Sequence, residues 1–140
     1  MMKRLTLTVA ALALWQTTAL HAEPTPPRAE PRLSPAFGKC IKSTRGVTDA
    51  MRDCTAQEYE RLDRELNETW RVTMARVPDD RARSRLRQLQ REWIKTRWAE
   101  CDQQVAQSGM GGGTGGLLIY DNCQLEVIAR RLSWLEAYRP

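Results

Sequence analysis

The sequence predicts an all-α fold, a three-helix up-down-up bundle with two disulfides. Three observations carry this. Three long stretches repeat apolar residues at three- and four-residue steps, the period of one face of an α-helix. Pro78 and a glycine run separate them, and both residue types break helices. Four cysteines, Cys40, Cys54, Cys101 and Cys123, form an even set in a small chain, the pattern of a disulfide framework in an exported protein. No strand-like alternation and no internal repeat is visible.

The chain opens MMKRLTLTVAALALWQTTALHA. Lys3 and Arg4 precede an apolar run from Leu5 to Trp15, and small residues follow, as in a secretory signal peptide. The run is too short for a bilayer, which needs roughly 20 apolar residues. Cleavage is placed after Ala22, with a cut after Ala19 as the alternative. The product is exported, periplasmic or secreted, with no membrane span. Residues 23–39 hold five prolines among charged residues and read as an extended, disordered lead-in. Residues 37–47 are expected to be irregular, and the helical domain is placed at 40–138.

Thr48 is the expected N-cap of the first helix, with Asp49 in its first turn. Met51, Thr55, Tyr59, Leu62, Leu66, Trp70, Thr73 and Val77 form its apolar stripe. Pro78 ends it, and Asp79 or Asp80 caps the next helix, about 80–107. So short a connection makes the two helices antiparallel neighbours. Within the second helix, Leu86, Leu89, Trp93 and Arg97 share one face, with Gln90 beside them. This stretch, 86–101, is taken as the central element of the bundle. Ser108 to Gly116 holds six of the eight glycines, so it reads as a flexible loop. It lacks the Gly-Lys-Ser/Thr ending of a phosphate loop. The third helix begins near Thr114 to Leu117 and ends near Tyr138. Leu118, Leu125, Ile128, Leu132 and Leu135 form one stripe, and Tyr120, Cys123, Val127 and Trp134 a second.

The residue inventory excludes much chemistry. The only histidine, His21, lies in the signal peptide, so the mature chain has no imidazole base or histidine metal ligand. Oxidised cysteines cannot act as thiolate nucleophiles. A four-cysteine zinc site would call for a C-x-x-C pair, which is absent, so neither metal nor cofactor is expected. Glu58 and Asp63 are the candidate carboxylate pair for glycoside chemistry, but on a helix with apolar neighbours salt bridging is commoner. The chain reads as a binder and not an enzyme. Loss of Lys3 and Arg4 from 22 basic residues leaves 20 against 17 acidic ones, a mature net charge of +3. Seven basic residues crowd 81–97. They suit a solvated helix surface or an anionic partner such as a glycan or lipid head group. A nucleic-acid role would sit badly with export.

Folding the pattern into a hairpin brings all four cysteines to one end, which leaves three pairings open. Cys40–Cys54 skips 13 residues and Cys101–Cys123 skips 21. Short loops cost less entropy to close, and these two pairings tie irregular segments to helix ends that would otherwise fray. They are the expected bridges. Counting back from Pro78 puts Arg97 level with about residue 59. Glu58, Asp63, Gln90 and Arg97 are therefore expected to form an internal polar network, with Arg97 ion-paired to Glu58 or Asp63.

The stretches MRDCTAQEYERLDRELNETW, LQREWIKTRWAEC and GTGGLLIYDNC resemble the LprI-like family, named for a lysozyme inhibitor. The family-like positions include Cys54, Glu58, Tyr59, Asp63, Gln90, Trp93, Arg97, Cys101, Tyr120 and Cys123. The resemblance covers about 40–135 and implies an exported helical domain with a lysozyme as protein partner. Such an inhibitor must plug a cleft that contains two carboxylates. The glycine loop carrying Met110 and Thr114, with nearby Tyr120, is the candidate plug. Animal lysozymes of the chicken type are basic, so long-range steering of a chain of net +3 towards them is mildly repulsive, and local contacts decide affinity.

Overall fold

The computed structural model describes residues 32–139. The expected signal peptide, its cleavage site and the lead-in up to residue 31 lie outside the described residues. Five helices follow: α1 (Pro35–Ser43), α2 (Thr48–Arg76), α3 (Asp80–Thr96), α4 (Ala99–Ser108) and α5 (Thr114–Ala137). No strand occurs among the described residues. The all-α class holds, but the expected count of three helices does not.

The first correction is α1, which occupies ground expected to be extended or irregular. Pro35 sits at the first turn, where its missing N–H costs nothing. Ser34 Oγ accepts the Phe37 N–H at 3.0 Å and so caps the helix. The proline that reads as a disorder signal is here a helix starter. Arg45 (φ 52°) and Gly46 (φ 82°) then turn the chain into α2. Val47, not Thr48, is the N-cap of α2, and no side chain caps it.

Of the eight stripe positions expected of it, α2 has five buried: Thr55, Leu62, Leu66 and Thr73 within it and Val77 at its C-cap. It stops at Val77, ahead of Pro78. Asp79 Oδ1 accepts the Ala82 N–H at 2.8 Å and starts α3.

The second correction lies between α3 and α4. The single helix expected over 80–107 breaks at Arg97 and Trp98. The Trp98 carbonyl accepts N–H groups from Cys101 at 2.9 Å and Asp102 at 3.1 Å, so α4 restarts from Trp98. No glycine or proline marks the break. Its cause is tertiary: Trp98 packs against the core, its ring centroid 6.2 Å from that of Tyr59.

The organising element is also not the one expected. α3 buries only Leu86, whereas α5 buries nine residues. Both expected stripes of α5 turn inward, because α5 packs against α2 and also against α4. Leu62, Leu66, Val77, Leu86, Leu125, Ile128, Leu132 and Leu135 make one core, and burying each such side chain stabilises by ~1.5–3 kcal/mol. The links Arg52–Asp121 and Thr73–Leu135 show that α2 and α5 run the same way. Gln90–Arg131 and Cys101–Cys123 show that α3 and α4 run against α5.

Candidate functional site

Cys40 is bonded to Cys54 and Cys101 to Cys123, with Cα separations of 5.8 and 5.5 Å. These are the two local pairings. Cys101, Cys123 and Val127 form a second small core, with Trp93, Trp98 and Tyr120 packed on it. The glycine loop hangs from this stapled end.

The loop is short and specifically built. Gly109 closes α4 in the left-handed conformation, φ 71°, which glycine adopts without steric cost. The Met110 N–H donates to Ser108 Oγ at 3.1 Å, and the Met110 carbonyl accepts the Gly113 N–H at 3.1 Å. α5 begins at Thr114, so Gly115 and Gly116 are helical. A Cβ on Gly116 would lie 2.5 Å from the Met110 carbonyl oxygen. Only glycine allows this approach, which folds the loop back onto the start of α5. The Met110 side chain itself is 55% exposed, and Leu117 is 45% exposed. Thr114 is exposed and Tyr120 half-buried. Beside the loop lies an open cavity of about 600 Å³, lined by residues that include Thr114 and Tyr120 but not Met110. Two of the three candidate plug residues, Thr114 and Tyr120, thus line one concavity, while Met110 precedes its lining residue Gly111 in the chain.

The expected polar network is not one network. Glu58, 4% exposed, accepts from the Ser34 N–H and Oγ at 2.7 Å each and from Arg61 Nη2 at 2.7 Å. Burial alone would push the Glu58 carboxyl up, but the hydrogen bonds from Arg61 and Ser34 hold it below its ordinary value. Arg61 also reaches the Arg32 carbonyl and Glu65, and Arg32 bridges Glu65 to Glu136. This cluster straps residues 32–34 across α2 and α5. Asp63 stands apart and accepts from Asn67 Nδ2 at 3.1 Å. Glu58 and Asp63 are therefore held by separate partners.

Gln90 and Arg97 are placed differently again. Gln90 Oε1 accepts Arg131 Nε and Nη2 at 2.9 and 2.7 Å. Arg97 makes no ion pair with Glu58 or Asp63, which corrects that expectation. Its guanidinium lies 4.6 Å from the Trp98 ring centroid and 5.8 Å from that of Trp93, and its Nε is buried without an acceptor. The count by level was sound, since Trp98 meets Tyr59. The carboxylates were taken by partners from α1 and α2, and tryptophan faces hold the cation instead.

Arg131, which follows the third family-like stretch, was not among the residues expected in the polar network, yet it is the most buried cation described. It sits 3.9 Å from the Trp134 ring centroid and 5.2 Å from that of Trp93. Burial pulls its pKa down to about 10, so it stays charged at pH 7. Its signal was present, because it lies between Ile128 and Leu135 on a stripe that turns inward. Ser34 and Arg61 were missed for lack of any signal that residues 32–34 are anchored.

Among the described residues, no three His, Cys, Asp or Glu side chains gather as a metal site. No helix there is long and apolar enough to cross a membrane.

Helices in this order, two local disulfides and a glycine-built loop at the stapled end define a small, cross-linked, all-helical domain. Residues 40–135 match the family described as lysozyme inhibitor LprI. That is more than half of the chain, and the chain belongs to this family. No curated protein and no solved structure matches it.

Proposed function

We propose that this is an exported, lysozyme-inhibitor-like protein of an oxidising compartment, periplasmic or secreted, that binds a lysozyme and occludes its active-site cleft. The observation that carries this reading is the family match over 40–135. The geometry of the glycine loop supports it as the contact surface. Met110 lies on a loop whose backbone is pinned to α5 and whose base is cross-linked by Cys101–Cys123, its side chain more than half exposed while resting against Gly115. A pinned loop loses little entropy on binding, which favours a plug. The protein acts as a binder: Glu58 is consumed by Ser34 and Arg61, and Asp63 by Asn67.

The test is a muramidase titration with the purified mature protein against several lysozyme types. Stoichiometric inhibition supports the reading, and no inhibition at micromolar excess against any of them would refute it. Replacing Met110 to Gly113 with serine should abolish inhibition and leave the melting temperature unchanged. Retained inhibition would move the site off the loop.

A second reading has its own observation. Arg81, Arg85, Arg87 and Arg91 are exposed on α3, and none pairs with a carboxylate among the described residues, while Arg83 and Lys95 do. Arg81 with Arg85, and Arg87 with Arg91, make two basic strips on different sides of α3, which suit an anionic glycan or lipid surface. Salt-sensitive retention on such a surface, lost in an Arg87→Gln/Arg91→Gln double variant, would favour it.

A further inference from the structure

The net charge hides a sorted distribution. Residues 81–97 hold seven basic side chains and one acidic one, Glu92. Residues 98–129 hold Glu100, Asp102, Asp121 and Glu126 and no basic residue. The fold places much of this acidic stretch at the stapled end. Arg52 neutralises Asp121 at 2.7 Å, and Arg130 pairs with Glu100 and lies 3.9 Å from Glu126. Asp102 alone of the four has no cationic partner among the described residues. It is also the one charged residue that lines the cavity beside the glycine loop.

We propose that this cavity is a receptor for an arginine or lysine side chain of a cationic protein partner, with Asp102 as the counter-charge. The inference rests on the reading that the chain binds a lysozyme, and it names what the partner contributes. Val105, Leu117 and Tyr120 give the cavity apolar walls, which suit the methylene stem of a long basic side chain. The Tyr120 ring can take a guanidinium on its face. Gly111, Gly112 and Gly113 line the cavity without bringing any side chain into it, and a volume of about 600 Å³ is ample for one such side chain. The site is preorganised, because Asp102 follows Cys101 directly and the disulfide to Cys123 fixes that turn of α4. Leu117, exposed to solvent as well as lining the cavity, offers apolar surface able to help exclude water from an ion pair, as at interface hot spots. The uncapped start of α5 lies at the same cavity, but an anion drawn to it would meet Asp102. A basic lysozyme, repelled by the chain as a whole, would meet here one carboxylate, Asp102, without a cationic partner among the described residues.

Two measurements test the proposal. The first is an NMR titration of the protein with N-acetyl-arginine methylamide, with the neutral isostere N-acetyl-citrulline methylamide as control. The arginine derivative should shift the amides of Asp102, Val105 and Tyr120, the citrulline derivative should not, and Asp102→Asn should remove the shifts. No shift, or equal shifts with both, would overturn the proposal. The second is affinity for a chicken-type lysozyme, which Asp102→Asn should weaken at least tenfold and Asp102→Arg further. Unchanged affinity in Asp102→Asn would overturn the proposal while leaving lysozyme binding intact. If the unaltered protein binds no lysozyme, the proposed function fails, and the arginine titration alone decides the receptor.

Discussion

Glu58 shows how one side chain sets a stability profile. Its pKa in the folded state is depressed by Arg61 and Ser34 against the opposing effect of burial. The stabilisation is therefore complete above the unfolded carboxyl value of ~4.3 and is lost as pH falls through the folded value. Glu58→Gln should lower stability by ~1.5–3 kcal/mol at pH 7, the worth of hydrogen bonds to a charged group. Thermal melts of the two proteins should converge at acid pH, and an equal gap at pH 7 and pH 3 would disprove the assignment. Gly116 is the second decisive residue. Gly116→Ala places a methyl against the Met110 carbonyl, and backbone cannot yield cheaply, so a loss of ~1–3 kcal/mol is expected. Gly112→Ala, with nothing within 4 Å of the added carbon, is the control and should change the melting temperature little.

At the scale of elements, the disulfides do different things. Cys40–Cys54 holds α1 onto α2, while Cys101–Cys123 sets the separation of α4 and α5 across the loop. Closing a loop of 22 residues stabilises by ~3 kcal/mol by chain-entropy reasoning. The Cys101→Ala/Cys123→Ala double variant should lose about that much in denaturant unfolding. It should also lose the proposed cavity site before it loses the fold, because Asp102 sits on the freed turn. The break between α3 and α4 depends on Trp98. Nothing local stops a helix there, and only the packing of that ring turns the chain.

Across the whole molecule, a column of cations and rings ties the elements together. Trp134, Arg131, Trp93, Arg97, Trp98 and Tyr59 alternate from α5 through α3 and the break to α2. Arg131 is its best-buried member. Arg131→Ala strands Gln90 and opens the stack between two tryptophans, so a loss of ~2–4 kcal/mol is expected. Arg131→Lys keeps the charge but not the planar fork, and it should recover only part of that in the same melts. Full recovery would mean that charge alone matters.

Much of this was legible in the chain. The helical class, the stripes on α2 and α5, the stop at Pro78, the cap at Asp79 and the start of α5 near Thr114 follow from local rules: side-chain period, missing N–H groups and turn chemistry. Loop length and helix fraying also favoured the two disulfides that form. The rest is non-local. Trp98 breaks a helix because Tyr59 and the core lie in wait for its ring. Arg97 turns to tryptophan because Glu58 is already held by Ser34 and Arg61. α5, not α3, became the centre because both its stripes found partners, while α3 found one buried position, Leu86. The glycine loop reads as slack in sequence, yet Gly116 makes it a fixed wall, since a carbonyl occupies the space that any Cβ would need. The sequence by itself determined the long helical stretches and which cysteines lie close enough to join cheaply, but not α1 or the break at Trp98. The tertiary structure decided which polar groups meet, because a buried charge takes whichever partner packing leaves within reach.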